Sequence, residues 1–454
     1  MAPRNRRAFL SLTAATATAS LAGCSAVLPG TTPSNSGPDD QPTTAPPGQL
    51  VDDWQYDPTE RGTRAGGKGG ANYTQAATSA SAGGSVGLAA GGAKDVNNFR
   101  RNVEEGYLPI PSDLPYEGLF YDYYFDTGSG TACDSLFCPS YSPAVTADPL
   151  SGETEYYLSV GLNSGLDASE FDRKRLNLVV VLDISGSMGS PFDQYYYDQY
   201  GNKQEVDADD DRSKMEIAKD ALATLTEQLR PGDRFGVVLY SSDAAVAKPM
   251  NPVETTDMDA IRGHIREDIE ATGGTNLSAG LDAASELLAP YRESDQSTSE
   301  NRMVVLTDAM PNLGDTSDDG LEGRLSDEAK ANVHSTFVGV GVDFNTDMVD
   351  QITSVRGANY YSVHSAEEFE QRVTDGFDYM VTPLVFDLSL ELDADGYDIE
   401  RVYGSSVAEE ATGQLMNVNT LFASPTSSGK TKGGVVLVKV TPTGAGGTLS
   451  LRAD

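Results

Sequence analysis

Between about residues 171 and 380 the apolar positions follow two alternating periods. Leu176-Asn177-Leu178-Val179-Val180-Val181-Leu182 is a nearly continuous apolar run. Its length and β-branched content predict a strand buried on both faces. Met215, Ala218, Leu222, Leu225 and Leu229 then recur at helical spacing, and Pro231-Gly232 ends that helix. Strands are expected over 235–240, 303–307, 337–342 and 360–363, and helices over 261–269, 277–288, 348–355 and 366–379. Strands alternating with helices predict an α/β fold, a doubly wound, Rossmann-like parallel sheet.

The flanks have other textures. From Pro383 onward Val385-Phe386-Asp387-Leu388-Ser389-Leu390-Glu391-Leu392 alternates apolar with polar, and 435–440 and 448–451 are further strand candidates with Gly-rich turns between. Residues 381–454 are therefore expected to form a β-rich C-terminal region. The chain stops in strand-like sequence at Asp454, which leaves open whether this region closes there. Upstream, 95–170 holds a short helix at 97–106 ended by Gly106, the aromatic run Phe120-Tyr121-Asp122-Tyr123-Tyr124-Phe125 and a strand at 156–162. Residues 25–94 are rich in Ser, Thr, Gly, Pro and Ala and are expected to be a disordered tether, because such a composition buries too little apolar surface to fold. Asn72-Tyr73-Thr74 is a glycosylation sequon within it.

Residues 1–24 read as an export signal rather than as fold. Arg4, Arg6 and Arg7 make a basic start, and a mildly apolar run follows to Ala22, too short and polar for a membrane span. Arg6-Arg7-Ala8-Phe9-Leu10 resembles a twin-arginine signal, and Leu21-Ala22-Gly23-Cys24 resembles a lipobox, which implies a lipidated Cys24 anchoring the exported chain to the cell membrane. Cys133 and Cys138 remain as an even pair, compatible with a disulfide outside the cytoplasm.

Charge narrows the partners. The 454 residues carry a formal net charge of −36, which repels nucleic acid and anionic headgroups. Acidic residues spread through 95–410 rather than gathering in one tail. This favours adaptation to high salt over a dedicated acidic binding surface, and it resembles the composition of halophilic archaeal proteins.

Candidate chemistry gathers at predicted strand ends, where open α/β sheets bind ligands. The first apolar strand runs into Asp183-Ile184-Ser185-Gly186-Ser187. Gly273-Gly274-Thr275 precedes the helix at 277, and its glycines permit a tight path that turns Thr275 inward. The strand at 303–307 ends in Asp308. Hydroxyl and carboxylate oxygens without His or Cys suit a hard divalent cation, Mg²⁺ or Mn²⁺.

These elements, in this order, resemble the von Willebrand factor type A (vWA) family over some 210 residues, about 171–380. The resemblance implies a metal-ion-dependent adhesion site (MIDAS). Ser185, Ser187 and Thr275 would be direct or switching ligands, and Asp183 and Asp308 would act largely through metal-bound water. The 95–170 segment resembles, in part, the stretch preceding this domain in envelope proteins of bacteria and archaea. Residues 190–212, rich in Tyr and Asp, would lie beside the site, where they could shape partner choice; a solvated insertion is the preferred account of them.

Three functions compete. One is a surface-held, non-catalytic module that captures an Asp or Glu carboxylate of a protein partner through the metal. The second is a metal-dependent hydrolase or phosphotransferase with Asp183 as nucleophile. That chemistry wants a second carboxylate two residues on, where Ser185 stands, and a Lys to bind phosphate, and no Lys is expected near any of the three site elements. The third is a vWA subunit of an intracellular ATPase, which the export signal disfavours. The first is the expectation carried forward.

Overall fold

The computed structural model describes residues 50–61, 85–90, 123–128, 135–167, 171–191, 212–308, 318–340, 354–363, 366–404, 413–444 and 447–453, with short pieces between them. At its centre is a six-stranded sheet. In spatial order its strands are Ala244–Pro252, Arg234–Tyr240, Arg175–Asp183, Ser299–Thr307, His334–Val340 and Asn359–Val363. All neighbours run parallel except Ala244–Pro252, which returns antiparallel along the edge. The sheet is the α/β architecture expected from the alternating periods.

Burial explains why the central strands read as unbroken apolar runs. Leu178, Val180 and Leu182 face one core with the helices Lys214–Glu227 and Met258–Glu267. Val179 and Val181 face the other, with the helix Leu277–Leu288. Each fully buried aliphatic side chain contributes about 1.5–3 kcal/mol, so a strand with two covered faces tolerates few polar positions. The predicted 366–379 helix is divided into Ala366–Val373 and Phe377–Met380. The 348–355 helix falls mostly outside the described residues, as does 97–106.

Two findings revise the domain organisation. First, the flanking segments form one unit. The strands Ser85–Ala90, Asn163–Asp167, Pro383–Asp395, Gln414–Ser424 and Thr448–Ala453 make one antiparallel sheet. Ser140–Ala147, Thr154–Gly161, Tyr397–Tyr403 and Val435–Pro442 make another. Leu88, Leu158, Val160, Leu390, Met416, Val436 and Val438 fill a common core. The vWA-like portion is therefore an insertion into a β-sandwich built from both of its flanks.

Second, the expected tether is not wholly a tether. Ser85–Ala90 pairs with Gln414–Ser424 inside the sandwich. Residues 50–57 form a strap across the edge strand of the central sheet. Gln55 N donates to Ala247 O (2.7 Å), Val51 bridges Thr256, and Tyr56 enters the core. Trp54 stacks on His264, and Asp53 pairs with the buried Lys248 (3.0 Å). Low-complexity composition hid this segment, yet its few aromatic and acidic residues are enough to dock it on a sheet edge that would otherwise be open. Apart from the single helical turn Pro58–Arg61, the rest of 25–94, and Cys24 and Cys133, lie outside the described residues; Cys138 is disulfide-bonded.

Candidate metal centre

Asp183 is the last residue of its strand and is wholly buried. Its Oδ1 accepts from Ser185 N (2.8 Å), and its Oδ2 accepts from Tyr240 Oη (3.0 Å) and Thr307 Oγ1 (2.7 Å). Burial pushes the Asp183 carboxyl above its ordinary value, opposed by the hydrogen bonds from Ser185 and Thr307. Burial and the neighbouring Asp183 also push the Tyr240 phenol well above its ordinary range, so it stays a donor. Register explains the pairing: Tyr240 ends the neighbouring parallel strand directly opposite Asp183.

The hydroxyls form a chain outward from this anchor. Ser185 Oγ lies 3.0 Å from Ser187 Oγ, and Ser187 Oγ donates to Asp308 Oδ1 (2.9 Å). Asp308 follows the strand Ser299–Thr307 and is nearly buried. The Gly-Gly-Thr loop closes over the same point. Thr272 N donates to Ile184 O (2.6 Å), and Gly186 N to Gly273 O (3.1 Å). Gly273 has φ +78°, and a Cβ there would meet the Ser241 and Ser242 hydroxyls at 3.1 Å. This is the tight path expected of the glycines, and it leaves Thr275 buried next to the N-cap Asn276. The Asn276 side chain is itself engaged, accepting from Ala279 N and donating to Ser242 O. Gly280 lets the following helix close on Tyr240, since a Cβ at Gly280 would lie 2.8 Å from that ring.

The two strand-end motifs and the loop are thus brought to one end of the sheet. Three residues of this end were not picked out from sequence. Tyr240 and Thr307 both orient Asp183, and both carry a weak signal, a polar atom at the C-terminal end of an apolar strand. The third is Lys214, whose Nζ donates to Asp308 Oδ2 at 2.9 Å with only 12 % of its side chain exposed. It corrects the expectation that no Lys stands near the site: Lys214 and Asp308 are 94 residues apart in sequence. Across the base of the 190–212 segment, Lys214 N donates to Ser190 O and Pro191 bridges Ser213. Within it, Tyr195–Tyr197 pairs with Lys203–Glu205 as a short hairpin.

The donor set fits a hard divalent cation. It offers hydroxyl and carboxylate oxygens only, arranged by fixed backbone, with one ammonium against two carboxylates. Both Asp183 oxygens are already engaged, accepting three internal hydrogen bonds between them.

Comparison with known proteins bears on the domain family. Residues 178–310 match the von Willebrand factor type A domain family. The chain is 22 % identical over 240 residues to inter-alpha-trypsin inhibitor heavy chain H4 of Homo sapiens, covering 52 % of this chain and 22 % of that one. It is 24 % identical over 222 residues to heavy chain H1 of Sus scrofa, covering 48 % and 22 %. The chain thus spans about a fifth of the length of these curated relatives. Among solved structures it is similar to a von Willebrand factor type A protein from Catenulispora acidiphila, with TM-score 0.40, 16 % identity, 73 % of this chain and 70 % of that chain. The family match and the six-stranded sheet together identify residues 178–310 of this chain as von Willebrand factor type A domain sequence.

Proposed function

We propose that the chain is a non-catalytic, metal-dependent protein-binding module, held at the cell surface by a lipidated Cys24, which captures an Asp or Glu carboxylate of a partner through Mg²⁺ or Mn²⁺. The observation that carries this reading is the hydroxyl chain from Ser185 through Ser187 to Asp308, docked beside the Thr275 loop. Ser185, Ser187, Thr275, Asp183 and Asp308 would hold the ion, the two aspartates largely through water. When bound, the ion supplies a Lewis-acidic position for an acidic oxygen. The chain's own residues fix its donors in advance, so capture costs little ordering of the site.

A hydrolytic role for Asp183 fits less well. A nucleophile must reach its substrate, whereas Asp183 is fully buried and both its oxygens are engaged. Lys214 removes the earlier objection that a lysine was lacking, but its ammonium is tied to Asp308 rather than open to a phosphate. No helix among the described residues is long and apolar enough to cross a membrane, and the anchor proposed here needs none.

The test is calorimetry at high salt together with a surface pull-down, each with Mg²⁺ and with chelator. Mg²⁺ at a hundredfold excess over its dissociation constant is expected to stabilise the chain by about 2.7 kcal/mol. Ser187→Ala is expected to abolish both that shift and partner capture. Steady ester or phosphate turnover that disappears in Asp183→Asn would instead establish the hydrolase.

A further inference from the structure

We infer that Lys214 is a built-in cation of the metal site: it neutralises Asp308 when no metal is present and gives way when one binds. The inference rests on the metal reading above. Its starting point is an energetic mismatch. Lys214 is the first residue of the helix Lys214–Glu227, where the positive end of the helix dipole disfavours a cation. Its side chain is also largely buried, and an ammonium is costly to remove from water. A lysine in that position needs a strong compensating anion, and among the described residues Asp308 supplies it.

The position is held from the backbone. Ser213 and Glu216 form a reciprocal capping box around Lys214, with Ser213 Oγ accepting from Glu216 N and Glu216 Oε2 accepting from Ser213 N. Lys214 N donates to Ser190 O (3.0 Å), which ties the helix start to the Ser187 loop. Lys214 Nζ and Ser187 Oγ then divide the Asp308 carboxylate, one on each oxygen at 2.9 Å. The carboxylate that would help hold a divalent ion is therefore already neutralised by a tethered one. This keeps Asp308 and Ser187 ordered without metal, and it opposes the arrival of a second positive charge at the same group.

The expected signature is competition. In Lys214→Met, which keeps the stem and removes the charge, Mg²⁺ affinity read by calorimetric titration should rise by at least about tenfold, the least that a unit charge a few ångströms away exerts on a divalent ion even at the dielectric of water. The same variant should melt lower than wild type in chelator and regain part of the difference in Mg²⁺. Lys214→Arg, which keeps the charge, should bind Mg²⁺ within a few-fold of wild type. A second measurement needs no variant: amine acylation of the intact wild-type chain, read by mass spectrometry, should modify Lys214 faster in Mg²⁺ than in chelator, with the exposed Lys330 as an unchanging reference. Equal or weaker Mg²⁺ binding by Lys214→Met, or metal-independent acylation of Lys214, beside a wild type that does bind Mg²⁺, would overturn the inference and leave the metal site standing. Failure of both wild type and Lys214→Met to bind Mg²⁺ would overturn the metal reading and this inference with it.

Discussion

The two ends of the central sheet are both polar and both buried, yet they are wired differently. At the end where the parallel strands begin, the buried Arg173 and Arg302 meet their anions inside the fold. Arg173 pairs with Asp233 (2.6 Å) and Asp378 (2.9 Å), and Arg302 pairs with Glu300 (2.7 Å), which also meets His334 (2.8 Å). Arg302 further donates to Thr336 Oγ1 and Gly357 O and lies over the Phe422 ring of the sandwich. At the other end, Asp308 meets the ammonium of Lys214 and the Ser187 hydroxyl, while Asp183 accepts only from neutral donors, Ser185 N, Tyr240 and Thr307. Buried polarity alone does not make a site. What separates the ends among the described residues is the balance of charge: at the base the buried Arg173 and Arg302 are paired, whereas the opposite end sets one ammonium against two carboxylates.

The largest effect should come from breaking the closed end. Arg302→Ala leaves Glu300 buried without its guanidinium and is expected to cost about 3–5 kcal/mol in denaturant unfolding. The Mg²⁺-induced shift should survive in what remains folded. A cost below 1 kcal/mol would mean that the base is not held by this pair.

Acid should find the same end. Burial opposes ionisation of Glu300, but His334 and Arg302 prevail and hold its carboxyl at about 2, against an ordinary 4.5. A depressed folded value means that this stability is fully present above the ordinary carboxylate pH and is lost as pH falls from there toward 2. The loss is on the order of 3 kcal/mol, and Glu300→Gln should flatten that part of a pH–stability profile.

At the open end the losses should be smaller in stability and larger in binding. Tyr240→Phe removes one donor from Asp183 and is expected to cost about 0.5–1.5 kcal/mol, with a weaker Mg²⁺ response in calorimetry. If the Mg²⁺ response is unchanged, Tyr240 supports the fold and not the site.

The smallest effect concerns the strap, which belongs to neither end. Burial opposes charge on His264, but its hydrogen bonds to Asp52 and Asp268 raise it above its ordinary value. The pairing therefore stabilises at low pH and fades as pH rises through the raised value. Amide exchange at Val51 and Gln55 should quicken over that window while exchange in the central strands does not, and His264→Gln should remove the difference.

Much of the centre was legible in the sequence. Periodicity is a local property, so the double-faced burial of Leu176–Leu182 and the helical spacing after Met215 can be read without knowing the fold. The placement of Asp183, Ser185, Ser187 and Asp308 at one end of the sheet was legible for the same reason, since each lies at or just past the end of an apolar run. Thr275 came from the glycines before it, and Gly273 does take a positive φ. The lysine on Asp308, the tyrosine on Asp183 and the sandwich were not legible. Each depends on where distant segments return. Lys214 Nζ reaches Asp308 across 94 residues, Tyr240 reaches Asp183 across 57, and Leu88 shares a core with Val436.

The sequence by itself determined the elements of the inserted domain and the oxygen chemistry at its strand ends, because both are written in short-range pattern. Only the tertiary structure decided the charge balance of that site, since a salt bridge is set by distance in space, which no local spacing encodes. It also decided that both flanks and part of the low-complexity segment fold against one another. Burying apolar surface requires a partner surface, and here the partners lie several hundred residues apart.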